Sequence, residues 1–347
     1  MSTPAEALSA VAPAEPPAHP LALLPGLTLT ALIAVVALLL GRQWPLVGGP
    51  VFGIVAGILV RNLGTLPQTF QPGIRFSGKQ ILQWSIVALG LNLSLQEVVH
   101  TGASSLAVTA VTISAAFLSA ALLGRLLGIP SRLKLLIGIG TAICGGSAIA
   151  AATPIVRADE HETAYAISTI FLFNIVAVLT FPALGHLMDL SAHGFGLWAG
   201  TAINDTSSVV AAGYTYGKQA GDYATIVKLT RSTLIIPVCL VLAAIEIRRH
   251  RKHQRSDFSL RRIFPWFILW FVAAAALRSL GLVPTGWTGA IHAIAGFMII
   301  MALTAIGLSS DLRRMLGTGI RPILLGLGVW AAVALSSLGV QFFAGQL

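Results

Sequence analysis

Two short polar stretches interrupt the apolar segments of this chain and repeat each other's sequence. Residues 141–151 read TAICGGSAIAA and residues 201–211 read TAINDTSSVVA. Irregular backbone at membrane depth exposes N–H and C=O groups that only protein or a water-filled cavity can satisfy. Matched interruptions of this kind form a solute site at the bilayer midplane in membrane proteins with internal repeats. The pair therefore predicts one binding site shared by both breaks.

The residue types in the two breaks suit an anion. Paired glycines let a backbone approach a ligand closely, and Ser, Asn and Asp favour helix N-caps. The N–H groups of a helix start carry partial positive charge, so two facing starts attract an anion. The alternative is that each break is a helix kink in which small residues allow close packing. The predicted substrate-binding residues of the breaks are Cys144, Gly145, Gly146, Ser147, Asn204, Thr206 and Ser207.

Charged and polar side chains within the apolar segments complete the candidate set. Asp205 is expected to carry the coupling proton or to balance a cation; the alternative is an N-cap or salt bridge that stays ionised. Lys228 and Arg231 are three residues apart and share a helical face. We expect them to supply positive charge for an anion, Arg231 through its bidentate fork, with snorkelling or pairing with Asp205 as alternatives. Asn174 is expected to line the solute path or to satisfy a broken backbone.

The composition places these residues in a membrane. Apolar residues make up 56% of the 347 residues, charged residues only 10%, and the mean hydropathy is +0.85. A soluble domain carries about 25% charged residues, and many apolar runs here reach the ~20 residues that cross a bilayer. We therefore predict an all-α polytopic membrane protein, with residues 1–20 as a disordered N-terminal tail and residues 21–347 as the transmembrane domain.

Positive charge in the loops predicts the orientation. The net charge is +10, and most Lys and Arg residues lie between apolar spans, which indicates topology rather than nucleic-acid binding. The densest cluster, residues 248–255, lies in a predicted basic cytoplasmic loop of residues 247–262 that would face anionic lipid. The N-terminus is predicted to be cytoplasmic and the C-terminus periplasmic.

The number of crossings, nine to eleven, depends on the two breaks. Complete crossings by both interrupted segments give eleven, whereas re-entrant hairpins give nine and point the breaks in opposite directions. Each arm is about a dozen residues, roughly half a membrane thickness at 1.5 Å per residue. We favour hairpins because an inverted repeat needs the two breaks in opposed orientation. A second similarity, between residues 88–95 (ALGLNLSL) and 305–312 (AIGLSSDL), supports an inverted repeat of antiparallel spans.

Motifs for other chemistry are missing from the sequence. The chain has no phosphate-binding glycine loop, zinc framework or nucleophile elbow, so neither a cofactor nor a metal is expected. Its two cysteines form no metal-ligand pair. No paired acids, Ser–Lys pair or His–Glu pair lie in one region, which leaves an intramembrane enzyme as a remote alternative.

The motifs resemble those of known membrane protein families. Residues 138–151 (GIGTAICGGSAIAA), 204–213 and 228–231 (KLTR) resemble the markers of the YeiH-like bacterial membrane proteins, which are labelled sulfate exporters. This resemblance covers about residues 21–345 and implies a transporter of the bacterial inner membrane. The order of the ALGL span and the CGGS break also resembles bile acid:sodium symporters and cation/proton antiporters. That second resemblance implies two broken helices that cross inside a mobile core domain beside a scaffold.

Residues and resemblance together predict a secondary active transporter of a small anion, of the sulfate or organosulfonate class. It would work by alternating access of the elevator type and would be coupled to protons through Asp205. The alternative within transport is a Na⁺/proton antiporter in which Asp205 binds the cation and Lys228 competes for it. The expected partners are the solute, anionic lipid and a second copy of the chain in a homodimer; no nucleic acid is expected.

Overall fold

The computed structural model of the chain describes residues 20–44, 47–249, 266–317 and 319–346. The predicted tail, residues 1–20, lies outside this part except for its last residue. Most of the predicted loop 247–262, including its basic cluster from residue 250 onwards, lies outside it as well. The fold therefore does not test those two predictions.

All the secondary structure in the described residues is helical, and no strand occurs among them. Six helical segments there are long and apolar enough to cross a membrane, which confirms an all-α polytopic membrane protein. A π-helical turn, Ser77–Ile81, joins α3 to α4, and α11 continues into α12 as one span. The helices are α1 (Pro20–Gln43), α2 (Gly48–Leu63), α3 (Gln71–Phe76), α4 (Leu82–Gly90), α5 (Leu95–Leu126), α6 (Ser131–Ala142), α7 (Gly146–Val156), α8 (Glu160–Leu187), α9 (Ala192–Ala202), α10 (Thr206–Tyr216), α11 (Lys218–Thr233), α12 (Ile235–Arg249), α13 (Trp266–Ser279), α14 (Thr288–Ser309), α15 (Leu312–Leu316) and α16 (Ile320–Ala344).

Helices α9 and α10 form a hairpin whose two ends lie together. Phe195, near the start of α9, stacks on Tyr216 at the end of α10, with ring centroids 3.9 Å apart. The Tyr216 hydroxyl also donates to the Leu190 carbonyl oxygen over 2.5 Å. The tip, residues 203–205, is therefore at the far end of both helices. We call this pair hairpin B, and the side on which α9 begins face B.

Helices α6 and α7 form a second hairpin, which enters from the opposite side. Helix α5 begins at face B, where Glu97 and His193 line one cleft, and α6 follows the far end of α5. Helix α8 ends at face B, since only residues 188–191 separate it from α9, so α8 begins at the far side too. Because α7 leads directly into α8, both ends of the α6–α7 pair lie on this side. We call the pair hairpin A and the side face A.

The lengths of the helices agree with this topology. Helix α8 has 28 residues and is about 42 Å long, enough to span the ~30 Å hydrocarbon core. The hairpin arms have 11 or 12 residues and reach about halfway. The described helices thus cross nine times, which is the hairpin alternative of the two topologies predicted. Helix α1 begins on face A, and α16 ends on face B beside the same cleft.

The spans pack as two groups. Helices α5–α12 and α16, which include the two hairpins, form the hairpin bundle, whereas α1–α4 and α13–α15 form the frame bundle. The bundles meet where α10 packs on α2 and α14, where α13 packs on α5 and where α15 packs on α8. This division corresponds to the core and scaffold that the resemblance implied.

The two similar spans at residues 88–95 and 305–312 are antiparallel, as the inverted repeat requires. Helix α14 runs parallel to α2, because Gly49 lies against Ile300 and Gly57 against Gly307. Helices α3 and α4 form the span after α2 and so run the other way. An added Cβ at Gly57 would lie 2.4 Å from a backbone oxygen of α14, so glycine permits this close helix contact.

Cysteine labelling distinguishes hairpins from complete crossings. In a background without Cys144 and Cys239, Glu160→Cys lies on face A and Gln219→Cys on face B, and both positions are exposed. We expect a membrane-impermeant maleimide to label the two positions from opposite sides of the membrane.

The exposed Gln68→Cys, between α2 and α3, provides the matched reference for face A. It should be labelled together with Glu160→Cys. Eleven complete crossings would place residues 160 and 219 on the same side, so labelling of both from one side would contradict the fold.

Candidate solute-binding site

The tips of the two hairpins touch inside the hairpin bundle. A Cβ atom added at Gly145 would lie 3.2 Å from Cβ of Asp205 and 3.4 Å from a methyl carbon of Ile170 on α8. Gly145 has a φ of +66°, which L side chains rarely adopt, and its N–H donates to the Gly140 carbonyl oxygen over 2.9 Å. The conformation favours glycine, and a Cβ here would require its neighbours to shift by a few tenths of an ångström. We call this meeting of the tips the crossing.

The Lys228 side chain of α11 binds backbone oxygens of both hairpins. Its Nζ donates to the carbonyl oxygens of Ile143 over 2.7 Å and of Ile203 over 3.0 Å, and also to that of Asn204. The side chain is fully buried, with 0% exposure. An ammonium group has three N–H donors, so the three carbonyls use all of them.

The Arg231 side chain, one turn further along α11, makes an equivalent set of bonds. Its Nε donates to the Ala142 oxygen over 2.7 Å, its Nη1 to the Ile203 oxygen over 3.3 Å and its Nη2 to the Thr141 oxygen. Arg231 is also 0% exposed. The Ile203 carbonyl accepts from both cations and so links them.

These carbonyls are the C-terminal ends of α6 and α9. The last four C=O groups of a helix have no partner within the helix and carry the negative pole of its dipole. A carbonyl group that is buried without a hydrogen-bond donor lowers the stability of the fold by about 1–3 kcal/mol. Lys228 and Arg231 satisfy such groups in both hairpins and join α6 to α9. Sequence analysis predicted that the guanidinium of Arg231 binds an anion. The geometry disagrees, because its Nε, Nη1 and Nη2 atoms already donate to backbone carbonyls.

Asp205 is the N-cap of α10. Its Oδ1 accepts hydrogen bonds from the Ser207 N–H over 2.6 Å and the Ser207 hydroxyl over 2.5 Å, and its Oδ2 accepts from the Ser208 hydroxyl over 2.5 Å. Among the described residues, no Lys or Arg nitrogen forms an ion pair with this carboxylate. The capping alternative is therefore present and the salt-bridge alternative is not. Sequence analysis did not single out Ser208, although a hydroxyl three residues after an N-cap Asp is a recognisable signal.

The crossing has a closed side and an open side. The closed side holds Lys228, Arg231 and the carbonyls that they bind. On the open side, α7 begins without a side-chain cap and α10 begins at Asp205. Ser147 there is exposed. The half-buried residues of the open side are Cys144, Gly146, Asp205 and Thr206.

Two asparagines near the crossing are buried without hydrogen-bond partners. Asn204, at the tip of hairpin B, and Asn174, on α8, are 1% and 3% exposed. Neither polar atom of either amide has a partner among the described residues. Asn174 lies four residues after Ile170 and so shares the helical face that contacts Gly145. Buried amides normally form hydrogen bonds. Asn92, His292 and Gln341 also carry buried polar atoms without a partner in the described part of the chain, so this feature is not confined to the crossing.

A separate polar cleft of about 710 Å³ opens on face B. It lies between the starts of α5, α9 and α11 and the end of α16, and Glu97, His100, His193 and Tyr223 are among its lining residues. It contains none of the predicted site residues. Its walls include α9 and α11, the two helices that lead from face B to the crossing.

Removal of the Arg231 side chain should destabilise the protein. Arg231→Ala leaves the Thr141 and Ala142 carbonyls without their donor, so we expect the free energy of unfolding to fall by about 2–6 kcal/mol, at about 1–3 kcal/mol per carbonyl. The free energy of unfolding is measured for the purified wild type and variant in detergent. The control, Arg278→Ala, removes a half-buried guanidinium that makes one bond, to the Val283 oxygen over 3.2 Å. Equal losses in the two variants would contradict the role given to Arg231.

Comparison with known proteins places this chain in a family. A family model described as "Conserved hypothetical protein 698" matches residues 25–326. A UPF0324 membrane protein of Fusobacterium nucleatum, FN0533, is 41% identical over 340 residues, which is 92% of this chain and 98% of the relative.

Two further relatives show the same relationship. A UPF0324 membrane protein of Streptococcus mutans is 42% identical over 333 residues, covering 93% of this chain and 97% of the relative. One of Clostridium tetani is 37% identical over 336 residues, with coverage of 93% and 97%. The YeiH-like resemblance recognised in the motifs is consistent with these relatives. The chain therefore belongs to the UPF0324 family of membrane proteins.

Proposed function

We propose that this protein is a secondary active transporter that moves a small anion by alternating access. The observation that carries the proposal is the crossing itself: two hairpins enter from opposite faces and meet tip to tip. Their C-terminal carbonyls are satisfied on the closed side by Lys228 and Arg231. Their partner helices α7 and α10 begin on the open side, where Ser147 is exposed. Discontinuous helices of this kind hold solutes at the bilayer midplane.

The charges at the crossing favour an anion. Lys228 donates to three carbonyls, which requires its charged ammonium form. Lys228 and Arg231 together with the carboxylate of Asp205 therefore leave one net positive charge. The roughly half-unit poles of two helix starts and two helix ends cancel one another. A monoanion such as an organosulfonate would balance the remaining charge. A dianion such as sulfate would require one accompanying proton, and Asp205 is the group proposed to carry it.

The two bundles supply the proposed movement. Helix α10 meets the frame through apolar side chains: Val210 and Ala211 pack in one cluster with Ile54 and Leu303. Apolar contacts of this kind are not directional and oppose sliding weakly. Where α5 meets α13 at face B, the Leu95 N–H donates to the Ser279 hydroxyl oxygen over 2.7 Å, and the proposed movement would break this bond. The hairpin bundle would carry the crossing past the frame, in an elevator-type movement, and the cleft on face B would be the route to the solute from that side.

Loop charge supports the proposed orientation in the bacterial inner membrane. Cytoplasmic loops are enriched in Lys and Arg, so we assign face A to the cytoplasm. Anionic lipid at residues 248–255 and a homodimer remain proposed partners. Positive residues near face A are Arg61, Arg75, Arg125, Arg132, Lys134, Arg157, Arg248, Arg313 and Arg321, whereas those near face B are Arg42, Lys218 and Arg278.

The native cysteines provide a direct test of anion binding. Cys144 is half-buried on the open side, whereas Cys239 is fully buried. N-ethylmaleimide should therefore modify Cys144, and an anion that occupies the crossing should slow the reaction. We expect about tenfold protection at an anion concentration about ten times its Kd, since protection follows occupancy. The solutes to be tested are the anions sulfate, sulfite, thiosulfate and carboxylates, together with the zwitterionic sulfonate taurine.

The anion that protects Cys144 should also drive counterflow in proteoliposomes. Cys144→Ser supplies the unlabelled control for the reaction. Protection and counterflow with Na⁺ but with none of the anions would contradict the proposal and support the antiporter alternative.

Proton coupling through Asp205 is tested by Asp205→Asn. The amide oxygen can still accept the N-cap hydrogen bonds of α10, but it cannot carry a proton. We expect anion exchange to continue and to lose its response to a pH gradient across proteoliposomes. Asp222→Asn is the matched control, because Asp222 binds Tyr214 and Lys218 near face B. A pH response that survives in Asp205→Asn would exclude Asp205 as the proton carrier.

A further inference from the structure

Three carbonyl oxygens from two different hairpins converge on one buried point. They belong to Ile143 at the end of α6 and to Ile203 and Asn204 at the end of α9, and the Lys228 Nζ lies within hydrogen-bonding distance of all three. The side chain is 0% exposed, and each oxygen is directed at the same nitrogen. The group at this point is a cation held only by backbone oxygens.

Convergent backbone carbonyls have the chemistry of a monovalent cation site. Their dipoles replace the hydration shell of an alkali ion in selective pores. The unwound carbonyls and C-terminal ends of broken helices coordinate Na⁺ in transporters. Two helix ends that meet in a membrane therefore need positive charge between them, from either a bound ion or a side chain.

A tethered cation has consequences that a diffusible one does not. Lys228 reaches the site from α11, a continuous helix that packs along α9, where Gly200 lies against Val227. Because the Lys228 ammonium is part of the chain, its binding costs no entropy of association. The positive charge between the helix ends is therefore permanent. Arg231 binds the adjacent carbonyls of Thr141 and Ala142 and shares that of Ile203. No other cation is needed to hold the hairpins together.

We infer that the carbonyls of Ile143, Ile203 and Asn204 form a site for a monovalent cation of ammonium or alkali type, which the Lys228 side chain fills. The crossing of this protein is thus assembled without Na⁺ or K⁺. Truncation of Lys228 opens the site to a free cation. Lys228 would assemble the crossing in this way whichever solute the protein carries.

Cation rescue of Lys228→Ala tests the inference. The full-length protein is purified in detergent, and its thermal unfolding is followed in chloride salts of ammonium, methylammonium, K⁺, Na⁺ and choline at equal ionic strength. Lys228→Ala should have a lower Tm in choline than the wild type. At least one of ammonium, methylammonium, K⁺ and Na⁺ should raise the Tm of the variant saturably, by about 2–4 °C or more. Choline is too large for the cavity and should not raise it.

Two controls separate the cation site from a general salt effect. Lys228→Met fills the cavity with an apolar side chain and should show no preference among the salts. Lys218→Ala removes an exposed lysine that pairs with Asp222 and should also respond equally to all of them. The wild type should be indifferent to cation identity, because its site is occupied.

Three results would overturn the inference. The first is a folded Lys228→Ala with the same Tm in every salt. The second is a failure of this variant to fold even when ammonium and K⁺ are present throughout purification, because a bound cation is expected to restore the site. The third is specific stabilisation of the wild type by Na⁺ or K⁺. The measurement uses no transported anion, so it is independent of the outcome for anion transport.

Discussion

Helices that end in the middle of a membrane leave carbonyl groups without partners, and this fold depends on how those groups are satisfied. Helices α6 and α9 end at the same place, so their negative poles would repel each other. Lys228 and Arg231 lie between them and donate to carbonyls of both. Because the two side chains are one turn apart on α11, a single helix determines how the hairpins meet.

The same arrangement makes the crossing chemically asymmetric. Its positive side chains serve the backbone on the closed side and are inaccessible, whereas the helix starts, a carboxylate and hydroxyl groups face the open side. In the proposed transport, the cations would act on a solute through their field rather than by direct contact. Asn174 and Asn204, two buried amides without a hydrogen-bond partner among the described residues, lie close to this position.

Sequence alone predicted much of the architecture, because the features concerned are local. The breaks are visible as polar stretches in apolar segments, and Gly145 is recognisable as a position that needs backbone freedom. The length of the arms and the inverted repeat favoured hairpins but did not exclude complete crossings. The contact that decides between them, Phe195 on Tyr216, joins residues 21 apart in sequence. The distribution of positive charge in the loops also fits both topologies, since only Arg157 changes sides between them.

The site was predicted less well than the fold. Helical periodicity placed Lys228 and Arg231 on one face correctly, but it carries no information on which backbone groups oppose that face. Their partners are carbonyls 24 to 90 residues away, and a side chain suited to an oxyanion is equally suited to a carbonyl. Asp205 was recognised as both a possible cap and a possible proton carrier. The structure shows the cap.

The most direct measurement is a high-resolution cryo-electron microscopy structure of the protein in lipid nanodiscs, with the anion that protects Cys144 at saturating concentration. Anion density should lie on the open side of the crossing, within hydrogen-bonding distance of the starts of α7 and α10, and Lys228 and Arg231 should still bind their carbonyls. Anion density confined to the cleft on face B, or an Arg231 that leaves the Thr141 and Ala142 carbonyls to bind the anion, would contradict the role assigned to the crossing.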